Sequence, residues 1–341
     1  MTKNLSEIER LIAGAGVEVR PYRPQPARDD NGGDAPREGG IAPPFSYFGG
    51  KRKVAAEVWA RFGADIQNYI EPCAGGLAVL LNRPASTALF DRRYNERIND
   101  RDCLISNFWR AVKYADPAKF LKLCDYPYSE SELIAWHYEL VFRRGDLQSR
   151  LERDVYSYDL EAAARWVWGS KGWIGSGFGN PYKYIANKAP RAVIAGWPGG
   201  GSAEEYIRRL SNRLRHVLVL HGDWKDAVSS DTVTTDQGVT GVFFDPPYPN
   251  QGRADCYAED DGRIADDILR WAVERGEDAR FRIAFCGYIR HHDKDIPAEW
   301  KRFPWNAGGG YANQGDGQGR ANAKEEMIWF SPGCLKLSKD D

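Results

Sequence analysis

Residues 241–250 read GVFFDPPYPN: an apolar run that ends on a carboxylate, two prolines and a tyrosine. Neither proline can donate to a sheet ladder, so a strand through Val242–Phe244 has to stop at Asp245. A carboxylate and a proline carbonyl side by side at such a tip are two acceptors with set directions, because the ring holds φ near about −65°. Two acceptors of this kind suit an exocyclic amine on a nucleobase. The lone pair of that amine is delocalised into the ring. One acceptor on each N–H localises it and stabilises the positive charge that grows on nitrogen. Asp245 supplies the first acceptor and Pro246 the second, Pro247 continues the turn, and Tyr248 offers a flat face to an unstacked base, a contact worth about 1–3 kcal/mol. No base strong enough to ionise the amine is required. The competing reading is an ordinary turn after a strand.

Other acids fall at comparable places. DIQNYIEPCAGGLAVLLNRP (65–84) reads strand, tight turn, helix, with Glu71 at the strand tip, Pro72 and Gly75-Gly76 turning, and Leu77–Leu81 helical. HVLVLHGDW (216–224) is another apolar run, followed by Asp223 and Trp224, and FRIAFCGY (281–288) is a further one. Residues 104–113 and 264–275 have helical spacing. Short apolar runs separated by helical stretches indicate an α/β fold with a mostly parallel sheet. In such sheets ligands bind outside the carboxyl ends of the strands. Lys51 follows Gly49-Gly50 in PFSYFGGKRK (44–53), where bare backbone allows close approach and the lysine can meet a carboxylate. G-x-x-x-x-G-K-[ST] is absent, which excludes a phosphate loop of that kind. An acid at the first strand tip suits a cationic ammonium or sulfonium, whereas a pyrophosphate prefers bare N–H groups.

The chain has 341 residues, enough for one large domain with an insertion or for two domains. No run of about 18 apolar residues occurs, so no membrane span is expected. The opening MTKNLSEIERLIAGAG lacks the charged-then-apolar order of a signal peptide. The cysteines at 73, 103, 124, 256, 286 and 334 are scattered without a C-x-x-C pair. They read as reduced thiols in a cytosol, with no disulfide framework and no metal site. Residues 1–15 have the spacing of a short helix, with Leu5, Ile8, Leu11 and Ile12 on one face. Residues 20–44 are rich in Pro, Gly and charge and read as disordered, so 1–43 is an N-terminal extension and order is expected from Phe45. From 116 to 216 the pattern is helical and aromatic, interrupted by a Gly-rich loop at 169–179.

A net charge of −1 gives no sign of nucleic acid by itself. Residues 161–225, however, hold ten Lys and Arg against four Asp and Glu, a local excess of six positive charges. Neutrality overall therefore hides a polarised chain. Within it RWVWGSKGWIGSGFGNPYKY (165–184) alternates aromatics and glycines with Lys171 and Lys183. Arg208, Arg209, Arg213 and Arg215 follow at spacings that put some of them on one helical face. The plain alternative makes Trp166, Trp168 and Trp173 core residues and the arginines a solvated face.

Three of these segments together resemble a known family. DPPY after a strand resembles motif IV of the amino-group DNA methyltransferases. PFSYFGGKRK is similar to the N-terminal motif of their Dam-like, alpha-group branch, typically P-F-x-K-W-x-G-G-K. YIEPCAGGLAVLLN is similar to its motif I, E-P-F-x-G-x-G-x-V-x-L-N, with Cys73 and Gly75-Gly76 as departures. The order, cofactor motifs first and DPPY last, is the family's. The likeness runs from about Phe45 to Pro332, and WNAGGGYANQGDGQGRANAKEEMIWFSP is similar to the Gly-rich segment and final strand of phage and prophage members.

The resemblance implies a Rossmann-like methyltransferase fold over 44–115 and 217–341, its sheet mostly parallel with an antiparallel C-terminal strand. A largely helical target-recognition domain would be inserted at 116–216. It implies S-adenosylmethionine (SAM) as cofactor, its methionine end on the loop of Tyr47, Phe48, Gly49 and Lys51, beside Glu71, Pro72 and Gly75. Asp100 would take the ribose hydroxyls, with Asp102 near it and Asp91 as a competitor. Asp223 would read the adenine amine of the cofactor and Trp224 cover its ring, while Asp245 borders cofactor and target alike. For each of these acids a helix N-cap is the plain alternative. Lys171, Trp173, Lys183, Arg208, Arg209, Arg213 and Arg215 would face double-stranded DNA. Adenine N6 is the implied target, cytosine N4 the near alternative, and a non-catalytic DNA-binding relative the other reading. Members that methylate GATC carry N-R-x-G-x-N-G-x-x-R-x-N, and GSKGWIGSGFGN lacks its arginines, so GATC is not the expected site. The implied setting is a bacterial host cytosol, with monomer and dimer both open.

Overall fold

Two largely apolar runs, 239–244 and 281–288, lie inside a seven-stranded sheet, as strands covered on both faces require. The strands are β1 (Ile66–Glu71), β2 (Asn95–Asp100), β3 (Val217–His221), β4 (Val239–Phe244), β5 (Phe281–Tyr288), β6 (Lys301–Pro304) and β7 (Glu326–Phe330). The computed structural model describes residues 40–45, 50–84, 95–127, 129–173, 177–181, 197–198, 202–229, 238–247, 263–305 and 325–340. All of them belong to one compact unit, 38–341. The strand order is β3-β2-β1-β4-β5-β7-β6. Neighbours from β3 through β5 are parallel, and β7 runs antiparallel to both β5 and β6. The chain winds outward from β1 in one direction and from β4 in the other, so the switch point lies between β1 and β4.

Two strands were not legible from hydropathy. β2 reads NERIND, yet its Glu96 is neutralised from both sides by Arg83 and Arg213, which lets a charged segment sit in the sheet. β6 is a four-residue edge strand, where Lys301 is exposed and Pro304 is tolerated because one side of an edge needs no N–H. The helix expected after β1 is absent. Gly75 and Leu77 take positive φ (46° and 55°), and the chain turns twice before a single 3-10 turn at Leu80–Asn82. Glu71 explains the tight wrap, because its Oε2 accepts the Leu80 N–H at 3.2 Å.

The helices are α1 (Ala55–Phe62), α2 (Cys103–Tyr114), α3 (Pro117–Cys124), α4 (Glu130–Arg153), α5 (Leu160–Gly172), α6 (Ala203–Leu214) and α7 (Ile264–Gly276). Asp102, Asp116, Ser129, Asp159 and Ser202 cap α2 to α6 in turn through their side chains. Each such cap contributes about 1 kcal/mol. The segment 117–214 contains the helices α3–α6, which share one core with α2, built from residues such as Phe108, Phe120, Leu140, Trp166 and Leu210. α5 runs through Gly169 to Gly172, past the start expected for the Gly-rich loop. Gly169 is needed because a Cβ there would lie 2.1 Å from the Phe178 ring.

Anchored backbone begins inside the stretch read as disordered. The Ile41 N–H donates to Leu81 O at 3.0 Å, and Tyr206 Oη donates to Ala42 O at 2.6 Å. The helix expected at 1–15, Asp91 and Cys256 lie outside the described residues. Among the described residues no helix is long and apolar enough to cross a membrane.

Candidate active site at the strand tips

The parallel strands deliver their acids to one edge of the sheet. Glu71, Asp100 and Asp245 sit at the ends of β1, β2 and β4, and Asp223 lies two residues beyond β3. Lys51, in a 3-10 turn after Gly50, crosses to this edge and places Nζ 2.8 Å from Asp245 Oδ1. Its ammonium is 3 % exposed, 4.0 Å from Glu326 Oε2 and 5.1 Å above the Trp305 ring. Burial alone would lower its pKa, but Asp245, Cys286 and Glu326 outweigh burial and hold Lys51 charged above the usual range. The sequence had Lys51 meeting a carboxylate without naming it, and that carboxylate is Asp245.

Beside them a pocket opens between the tips, walled by Pro72, Gly75, Asp100, Asp223, Trp224 and Asp245 among others. Asp100 is fixed by backbone: Oδ2 accepts the Gly75 N–H at 2.8 Å and Oδ1 the Asp102 N–H at 2.9 Å. Burial, assisted by the nearby Asp102, pushes its carboxyl up to about 7. Asp102 is the N-cap of α2 and also receives Arg144 Nη2 at 2.9 Å, so it is held as part of the wall. Asp223 caps the single turn Trp224–Ala227 through the Lys225 N–H, so it serves as a cap and as pocket wall together. Trp224 packs against Phe244 and Trp271 at 6.0 and 6.3 Å, which keeps it mostly buried.

Glu71 differs from what the sequence suggested. It is 2 % exposed and lies behind the wall, where Oε2 accepts from Tyr69 Oη at 2.9 Å as well as from Leu80. Burial pushes it up to about 8, so it carries a proton at neutrality unless a cation comes near. Asn99 was missed. Its Nδ2 donates to Pro72 O and Gly222 O, both at 3.1 Å, and so staples the loops after β1 and β3 across β2. The signal was an amide one residue before the strand-end acid, which hydropathy passes over. Tyr47, Phe48, Gly49 and Tyr248 lie outside the described residues. Pro246 is buried and Pro247 lines the pocket.

Among the described residues the wall carries Asp100, Asp102, Asp223 and Asp245 against one cation, Arg101. An acid-rich wall with fixed acceptors fits a ligand that brings hydroxyls, an amine and positive charge, and disfavours one built on phosphates. Among the described residues no group of side chains could hold a metal ion.

The basic segment is arranged differently. Trp166 and Trp168 are buried in the core. Trp173 lies flat on His137, with centroids 5.0 Å apart and planes at 6°. Lys171 sits with Nζ 3.3 Å from the centre of the Trp197 ring, and burial pulls its pKa down to about 8. Arg213 grips Glu96 with both Nη atoms, at 2.6 and 2.8 Å, and is 8 % exposed. Arg208, Arg209 and Arg215 face solvent, and Lys183 lies outside the described residues. Residues 177–181 are tied back to α4, where Arg144 donates to Gly179 O and the Gly179 N–H meets His137 Nδ1.

No protein-family model matches this chain, and a search of curated proteins finds no matching relative.

Proposed function

We propose that the protein is a SAM-dependent DNA methyltransferase that acts on the exocyclic amine of a base turned out of the duplex, with adenine N6 as its target. One observation carries this reading: Asp245 stands at the tip of the strand beside the switch point, locked to buried Lys51 and bordering an acid-walled pocket. A flipped base has to be held by its polar edge, and a carboxylate with a neighbouring proline carbonyl, Asp245 and Pro246, suits an amine.

On this reading the sheet with its flanking helices is a Rossmann-like methyltransferase unit, and the helices of 117–214 carry the target-recognition surface. The residues present fit the cofactor. Asp100, held by two N–H groups, accepts ribose hydroxyls, Asp223 takes the adenine amine beside Trp224, and buried Glu71 releases its proton when a cation arrives. When bound, the sulfonium supplies an electrophilic methyl group. Asp245 is then oriented by Lys51 and accepts one N–H of the target amine, while the Pro246 carbonyl accepts the other. Double-stranded DNA would meet the solvent-facing Arg208, Arg209 and Arg215. The scattered thiols fit work in a bacterial cytosol.

The test is calorimetric titration with SAM, followed by incorporation of labelled methyl into duplex DNA and analysis of the digested nucleosides. The expected product is N6-methyladenine. N4-methylcytosine would move the target to the other amine, and absence of both SAM binding and methyl incorporation would overturn the reading.

A further inference from the structure

The Lys51–Asp245 pair has a second acid beside it that the reaction above does not use. Glu326 opens β7 opposite Tyr288 of β5, and its carbonyl accepts the Trp305 N–H at 3.2 Å. Both side chains are more than nine-tenths buried, Glu326 at 6 % and Trp305 at 8 % exposed. Among the described residues Glu326 Oε2 and Trp305 Nε1 have no hydrogen-bond partner. Oε2 nevertheless lies 4.0 Å from Lys51 Nζ, beyond hydrogen-bond reach but close enough for a small swing of the lysine to close the gap. A buried carboxylate oxygen without a donor is costly when ionised and cheap when protonated, so the position favours taking up a proton. Burial is the main cause, and it pushes the Glu326 carboxyl up to about 7, with Lys51 pulling it down and Asp245 pushing it up. The titratable groups that face it are Lys51, Asp245 and Cys286, with Tyr288 across the ladder.

We propose that Glu326 is the proton sink of this site, receiving through Lys51 the proton that the target amine loses once it is methylated. The inference rests on the methyltransferase reading. In the transfer the amine lone pair becomes the new N–C bond and the C–S bonding pair leaves with sulfur, so the nitrogen holds a positive charge and one proton too many. That proton passes to Asp245, and the N–H bonding pair returns to nitrogen. Asp245 hands a proton to Lys51 as Lys51 gives one of its own to Glu326. Asp245 and Lys51 end as they began, the amine has lost one proton, and Glu326 has gained one to release after turnover. Asp245 cannot keep the proton, because a neutral Asp245 would leave the buried Lys51 ammonium without its ion pair.

Glu326→Gln tests this in two ways. Without cofactor or DNA, infrared titration of the wild-type protein should show a protonated-carboxyl band that grows as pH falls through about 7, and Glu326→Gln should lose that share of it. With saturating SAM and DNA, the wild-type turnover should fall on the acid side with a midpoint near 7. Glu326→Gln should lose that limb and turn over about 10²-fold more slowly, the low end for acid–base groups, with SAM affinity within threefold. Equal turnover with the same acid limb, or an unchanged infrared band, would overturn the inference while methyl transfer by the wild type kept the parent reading. A wild-type protein that transfers no methyl would overturn both. If Glu326→Gln does not fold, the wild-type profile decides alone: a turnover flat from pH 6 to 8 rejects the sink.

Discussion

The strand tips and the helices of 117–214 both concentrate charge, but they hold it in opposite ways. At the tips Asp100 and Asp223 accept backbone N–H groups, although Asp245 is paired with Lys51. In the helices cations are held by carboxylates: Arg213 by Glu96, Arg143 and Arg150 by Asp159, Arg165 by Glu139 and Glu161, Arg144 by Asp102. A carboxylate fixed by N–H dipoles has no cation already matched to it and stays available to a ligand. An arginine fixed by a carboxylate does not. The six-charge excess of 161–225 therefore overstates what a DNA phosphate would meet, and three of the four arginines 208–215 remain to meet it.

Asp245→Ala should have the largest effect. Loss of one acceptor from the target amine lowers methyl transfer by about 10²–10³, with SAM affinity changed by less than about tenfold, as rate and titration together would show. A near-normal rate would remove the tips from the chemistry. Next comes the contrast within α6. Arg213→Ala should cost about 3 kcal/mol, the low end for breaking a buried pair because Arg83 still faces Glu96. Changing Arg208, Arg209 and Arg215 to Gln should leave stability within about 0.5 kcal/mol. These three should flatten the slope of log affinity against log salt by about 0.9 for each phosphate no longer neutralised. Urea melts and DNA binding at several salt concentrations separate the two classes, and a normal Arg213→Ala melt would contradict the division.

A smaller effect concerns pH. Glu71, Asp100 and Glu326 bind protons more tightly in the folded chain than in the unfolded one, so the stability they add is present at low pH and lost as pH rises through about 7 to 8. His216, His221 and His292 act in the other direction, but only below about 6.5, the unperturbed histidine value. The protein without ligand should therefore lose stability between pH 6.5 and 7.5, and Glu326→Gln should lessen the loss. Melts that rise over this interval would place those acids in a wetter setting. Lys171→Met should matter least: the interaction with Trp197 is worth about 0.5–1 kcal/mol, partly offset by relief from burying an ammonium. A loss well above 1 kcal/mol in a urea melt would show that interaction to be structural.

The sheet and its acid edge were largely legible because apolar runs end abruptly at Glu71 and Asp245, and a strand has to terminate where prolines remove its donors. β2 was not, since NERIND becomes a strand only through Arg83 and Arg213, which are distant in sequence. The turn after β1 defeated the helical pattern of Leu77–Leu81 because a buried Glu71 draws the Leu80 N–H toward itself. Glu326 was passed over for a related reason. It looks like the second of two ordinary glutamates until β7 pairs with β5 and carries it to Lys51. In the helices, spacing found the right face but could not say which arginine an acid from β2 would claim.

The antiparallel return of β7 also sets an order of events during synthesis. β5 has β4 on one side from early on, but its other edge stays open until β7 is made, more than thirty-five residues later. Asp245 and Glu326 are separated by about 80 residues, roughly 4–16 s of translation at about 5–20 residues per second. Once β5 is made, the ribosome holds a sheet with one unpaired edge there, and Lys51 has met only one of its two acids until Glu326 follows. A chain stalled between β5 and β7 would present that edge to any other strand nearby.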